Sequence, residues 1–145
     1  METNHDQMLL EEFYKNSRMG CETIDRLLPK VDSVRLRREL TNQRARYECY
    51  AKSAASLLRA HCHQKPQEIS PLKTASVRAG VFMNTAIDST PSHIAEMMIN
   101  GSTMGVVNLT KQLKENQPCG KEVQQLGQDL LSFEQQTIDN MKSFL

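Results

Sequence analysis

The chain has no tryptophan and few aromatics of any kind, 5% of 145 residues. No apolar run approaches the roughly 20 residues that cross a bilayer, which excludes a membrane-spanning helix. Neither sign of charge is in excess. Lys and Arg number 18 against 17 Asp and Glu, and the net charge of +1 creates no global field toward nucleic acid or acidic lipid. No CxxC occurs, and the four cysteines Cys21, Cys49, Cys62 and Cys119 are widely spaced. The opening METNHDQMLLEEF is acidic and polar, unlike a secretion signal. The expectation is free thiols in a reducing compartment, the cytoplasm.

What is present favours helix. Ala, Leu, Met, Gln, Glu, Lys and Arg dominate, and residues 1–145 suffice for one domain with a core. The periodicity predicts a first helix from Asp6 to Leu28, with Leu10, Phe13, Tyr14, Ser17, Cys21 and Ile24 spaced at three and four. Pro29 to Ser33 reads as a tight turn, and Asp32 or Ser33 can cap a second helix from Val34 to His61. So short a turn makes the two helices antiparallel neighbours. A third main helix is predicted from His93 to Asn116 and a fourth from Lys121 to the end, separated by Gln117-Pro118-Cys119-Gly120.

The stretch from His63 to Thr90 is too long for a simple turn. Ser70-Pro71 and Thr90-Pro91 look like helix starts, with a helical segment between Pro71 and Asp88. One reading is a partly helical crossover that climbs the bundle between helices 2 and 3, as in ferritin-like bundles. The other is one long kinked helix 3 in an up-down-up-down bundle.

Glu134 is the residue that stands out. The fourth helix carries an apolar stripe at Val123, Leu126, Leu130, Phe133, Ile138, Met141 and Phe144. At about 100° per residue, Glu134 falls inside that stripe, beside Thr137. A carboxyl group on a core face must be hydrogen-bonded, protonated or bound to something. Tyr14 and Ser17 on helix 1 and Gln43 and Tyr47 on helix 2 fall at the same height, and Gly101 and Gly105 on helix 3 leave space there. The set predicts a buried polar layer: either a small pocket or a core network whose donors hold the carboxylate.

Other constellations point less far. A di-iron bundle needs inward Glu and Glu-x-x-His from its helices. Here Glu48 and Glu134 are followed at the third position by Ala51 and Thr137, so a single inward carboxylate remains and no cofactor is expected. His61, Cys62, His63 and Cys119 come to one end of the bundle in the crossover topology and could bind zinc or copper, but adjacent residues cannot all turn to one ion. Arg35, Arg37, Arg38, Arg44 and Arg46 read as a solvated, paired face rather than a phosphate surface, since no aromatics interleave and Glu22, Asp25 and Glu39 lie nearby. No Ser or Cys has a base at catalytic spacing, and no phosphate loop exists. Helix 3 has an unusually wide apolar arc, and Met97, Met98, Gly101, Met104 and Gly105 suggest a contact with a second copy.

The segment Ser92-His-Ile-Ala-Glu-Met-Met-Ile-Asn-Gly-Ser-Thr-Met-Gly105 resembles small bacterial proteins of the ferritin-like, rubrerythrin-related superfamily, some of them similar to spore-coat proteins. The resemblance covers this stretch sharply and the other helices only in length and order. It implies a ferritin-like four-helix bundle and, for localisation, a spore association beside the cytoplasm. The superfamily's metal ligands do not carry over, because His93 and Glu96 run in reverse order to Glu-x-x-His. The combined expectation is a non-catalytic, metal-free bundle acting through self-association or a protein partner. The alternative is a small-ligand or single-metal protein using the Glu134 layer or the His61 end.

Overall fold

The computed structural model describes residues 2–76, 80, 85 and 88–145. Among them there is no strand. Four long helices dominate: α1 (Glu2–Leu27), α2 (Val34–Cys62), α3 (Pro91–Glu115) and α4 (Lys121–Lys142).

Local chemistry sets the helix ends. A single 3-10 turn, Leu28–Lys30, carries Pro29 between α1 and α2. Ser33 caps α2, its Oγ accepting from Leu36 N at 3.2 Å. The chain leaves α2 through His63 in the left-handed region (φ 53°), and Gln64 N donates back to Leu58 O at 3.2 Å. Thr90 caps α3 through His93 N at 3.3 Å, with Pro91 in the first turn.

Contacts at the two ends fix the direction of each helix. Asp6 Oδ1, near the start of α1, accepts from Gly120 N at 2.8 Å, and His5 Nδ1 lies 2.9 Å from Pro118 O. The beginning of α1 therefore sits at the α3–α4 turn. His61 Nε2 on the last turn of α2 is 3.2 Å from Glu122 Oε2 on the first turn of α4. At the far end Arg35 Nη2 donates to Ser143 Oγ at 2.8 Å. Thus α1 and α4 run one way and α2 the other. The 25 residues of α3, packed along α4, return from the far end to the turn, rising about 1.5 Å each. So α3 runs parallel to α2, and His63 and Thr90 lie at opposite ends of the bundle. This excludes the up-down-up-down alternative.

That connection is helical over 71–76 and at 80 and 85, with Ser70 Oγ accepting from Lys73 N at 3.2 Å. The remainder of the helical segment expected between Pro71 and Asp88 lies outside the described residues. Glu68 holds the start of the connection against α1 by accepting from Tyr14 Oη at 2.8 Å.

The core lies along the common axis. Leu9, Leu10, Phe13 and Ile24 of α1 meet Leu36, Leu40 and Leu58 of α2, Ile94 and Leu109 of α3, and Leu130 and Met141 of α4, all fully buried. Each such side chain contributes roughly 1.5–3 kcal/mol relative to exposure. Ile138, assigned to the α4 stripe from spacing, is only half-buried; Thr137 takes the inward position.

Candidate functional site: the polar centre of the bundle

Glu134 is 2% exposed at the centre of the bundle. Tyr47 Oη, from α2, lies 2.9 Å from each carboxylate oxygen and donates to them. Asn16 Nδ2, from α1, donates to Oε1 at 3.0 Å. Ser102, buried on α3, adds a hydroxyl contact to both Glu134 and Tyr47. Each helix therefore contributes one polar side chain to a single layer.

Two glycines make that layer possible. A Cβ on Gly20 would stand 2.7 Å from three carbons of the Tyr47 ring, so α1 offers bare backbone for the ring to lie on. A Cβ on Gly105 would stand 3.1 Å from Asn16 Oδ1 and 3.4 Å from Glu134 Cδ. Phe133 closes the other side, edge-on to Tyr47 with centroids 4.8 Å apart.

The electrostatics follow from burial. Desolvation pushes the Glu134 carboxyl above its ordinary value, and the hydrogen bonds from Asn16, Tyr47 and Ser102 pull against that rise. Burial, and then the charge of Glu134, push the Tyr47 hydroxyl well above its ordinary value. Tyr47 therefore stays protonated and acts as a donor.

The polar layer expected from the sequence is only partly assembled. Tyr47 and Glu134 meet. Tyr14 does not join them: its ring is buried in the core, but its hydroxyl goes to Glu68 on the connection. Ser17 turns its hydroxyl onto Phe13 O at 2.8 Å. Gln43 and Thr137 are buried one helical turn away, at 3% and 1% exposure. Gln43 Nε2 donates to Glu39 Oε1 at 3.1 Å, while Gln43 Oε1 and Thr137 Oγ1 have no hydrogen-bond partner among the described residues.

The five α3 residues grouped as a contact face are divided between its two sides. Met98 is buried, and Gly105 faces Asn16 and Glu134. Met97 is half-buried. Gly101 and Met104 face outward: nothing lies within 4 Å of a Cβ built on Gly101, and Met104 is 72% exposed. The residue from this turn that enters the polar layer is Ser102.

At the bundle end His61, Cys62, His63 and Cys119 do not converge. The His61 ring is exposed and faces Glu122. The Cys119 thiol donates to Gln124 Oε1 at 3.2 Å. Cys62 is half-buried, its thiol pushed up by burial and then by Asp6 and Glu11, and His63 is exposed. Among the described residues no three His, Cys, Asp or Glu side chains are placed to hold a metal ion.

The arginines are not one paired face. Arg44 bridges Asp25 Oδ1 at 2.5 Å and Glu48 Oε2 at 2.9 Å. Arg37 donates to Val31 O. Arg46 lies over Phe133 (4.8 Å) and Arg35 over Phe144 (4.3 Å). Arg38 makes no hydrogen bond or ion pair among the described residues.

Sequence reasoning passed over Asn16, Gly20 and Ser102. Gly20 carried a signal: a glycine inside a run of good helix formers costs about 1 kcal/mol, which close packing can offset. Asn16 and Ser102 carried none, since each is one position from a residue that spacing favoured.

No protein-family model, curated protein or solved structure matches the chain. Fold and centre alone define its class, an all-α chain of four long helices around a hydrogen-bonded carboxylate.

Proposed function

We infer that the chain is a non-catalytic, metal-free, ferritin-like bundle that works by association, with a second copy docking on the outer face of α3. The observation that carries this reading is the donor set around Glu134. Tyr47 and Asn16 present hydrogens to the carboxylate, with Ser102 alongside, whereas a cation requires oxygens and nitrogens with free lone pairs. A di-iron centre needs several inward carboxylates and imidazoles, and Glu134 is the one buried carboxylate among the described residues. The helix order, with α3 parallel to α2 after a long connection, supports the ferritin-like part, as does the likeness of Ser92–Gly105 to rubrerythrin-related and spore-coat-type proteins.

The association surface rests on the outward side of α3. Met104 and Val107 are 72% and 50% exposed, and Gly101, one turn before Met104, lets another backbone come close. Sedimentation equilibrium should give a dimer at tens of micromolar, in the range of about −6 to −7 kcal/mol. Met104→Glu should give a monomer with unchanged helicity. A wild-type monomer at that concentration refutes self-association. Two irons per chain, lost in Glu134→Ala, refute the metal-free reading.

The filled Glu134 layer and the dispersed His61 end do not favour ligand or metal binding at those places.

A further inference from the structure

Charge is missing from the outer face of α3 in a way that orients a partner. Residues 97–110 are the longest run of the chain without Asp, Glu, Lys or Arg, although 24% of all residues are charged. Within that run Asn100, Gly101, Thr103, Met104, Val107 and Asn108 are all exposed. A solvated helix face normally carries charge, whereas the centre of a protein contact is depleted of Lys, Glu and Asp and enriched in Met. At about 100° per residue, Met104 is the middle of this face, with Gly101 and Asn108 on one flank and Asn100 and Val107 on the other.

Charge returns at both ends of the run, with opposite signs. Glu96 stands just before it, and Lys111 and Lys114 stand just after it. All three are exposed, and their side chains make no hydrogen bond or ion pair among the described residues. By the same spacing all three fall on the Val107 side of Met104, Glu96 and Lys114 about 80° round and Lys111 about 20°. Glu96 lies roughly 12 Å from Met104 toward the start of α3, and Lys111 and Lys114 lie roughly 10 and 15 Å toward its end.

These positions decide how a second copy can lie. Parallel α3 helices would set Glu96 on Glu96 and lysines on lysines, and both meetings repel. Antiparallel helices related by a two-fold axis at Met104 keep each flank on its own side and reverse the heights. Glu96 of each copy then arrives between Lys111 and Lys114 of the other. Nothing lies within 4 Å of a Cβ built on Gly101, so the two backbones can approach closely.

We propose that α3 docks antiparallel on α3 of a second copy, about a two-fold axis at Met104, with Glu96 of each copy held by Lys111 and Lys114 of the other. This rests on the self-association inferred above and fixes its orientation and the residues that set it. Such a contact is isologous, so it occupies the face on both copies and closes at a dimer.

Sedimentation equilibrium of the full chain and of charge-reversed variants is the test. Glu96→Lys makes both ends of the contact repulsive and should raise the dimer dissociation constant about tenfold at low salt, with helicity unchanged. Lys111→Glu combined with Lys114→Glu should do the same. The triple variant E96K/K111E/K114E reverses every pair and should return to within about threefold of wild type. The loss in Glu96→Lys should shrink at roughly 0.5 M salt, which screens charges beyond about 4 Å. A wild-type dimer whose dissociation constant is unchanged in Glu96→Lys overturns the antiparallel contact and leaves self-association standing. So does a triple variant that binds no tighter than Glu96→Lys. A wild-type monomer overturns both, because it removes the second copy as the occupant of this face.

Discussion

Two polar pairs sit one helical turn apart on the same two helices, and they have opposite fates. Tyr47 and Glu134 are joined directly, with Asn16 from α1 and Ser102 from α3 completing the layer. Gln43 and Thr137 are as deeply buried, yet neither free oxygen finds a partner among the described residues. The difference is not in residue type. At the first level all four helices close around the carboxylate, with Gly20 and Gly105 allowing the approach. At the second level α2 and α4 pack beneath a surface groove, and both oxygens are enclosed below it. The contrast teaches that a buried polar residue in a bundle is a clue whose meaning depends on how many helices reach it. Four close a network around the carboxylate, whereas the Gln43–Thr137 level leaves two enclosed oxygens unmet.

Breaking the closed layer should have the largest effect. Glu134→Ala leaves Tyr47 Oη and Asn16 Nδ2 without their acceptor and opens a void, at a cost of about 3 kcal/mol in denaturant unfolding. Glu134→Gln keeps an acceptor and removes the buried charge, so it should cost no more than about 1 kcal/mol. Equal and negligible losses for both would mean that the carboxylate is solvated.

Gly20→Ala should follow, at about 2 kcal/mol, because its methyl enters the Tyr47 ring and the ring is pinned by Glu134 and Phe133. Gly101→Ala is the control on the outer face of α3. With nothing near its Cβ, it should gain up to about 1 kcal/mol from helix propensity. A loss there would place α3 differently.

Thr137→Val sharpens the open side of the comparison. Removing an unmet buried hydroxyl without changing shape should raise stability by about 1 kcal/mol. The same change at Ser17 would remove a satisfied hydroxyl and add a methyl group to a packed site, so it should lower stability.

The smallest effect is a slope with pH. The folded Glu134 carboxyl holds its proton more tightly than an unfolded one, whose value is about 4.3. Between those two values the native state binds more protons, so stability falls as pH rises through the folded value. The contribution is fully present below the unfolded pKa and lost above the folded one. Glu134→Gln should remove this slope, and its stability relative to wild type should improve as pH rises across that window. A gap independent of pH would show a carboxyl with an ordinary pKa.

The α1–α2 and α3–α4 hairpins were legible in the sequence because helix periodicity, proline placement and capping act within a few residues. Ser33, Ser70 and Thr90 cap the helices that follow them, and each cap could be read beside its helix. The burial of Glu134 was legible for the same reason, since a face is a local property of one helix. Partners were not. Tyr14 and Tyr47 occupy equivalent inward positions, but only the contact of the connection with α1 sends Tyr14 to Glu68. Gly101 and Ser102 are adjacent, and a rotation of α3 by about 100° decides which one enters the core.

The sequence by itself determined four helices, their ends to within a turn and most of the inward side of α2 and α4, because backbone hydrogen bonding and apolar spacing are short-range. Only the tertiary structure decided the direction of α3, the choice of Asn16 and Ser102 as partners, and the packing that encloses Gln43 and Thr137 with an oxygen of each unmet. Those depend on contacts between residues as far apart as Asn16 and Glu134, whose meeting no local pattern encodes.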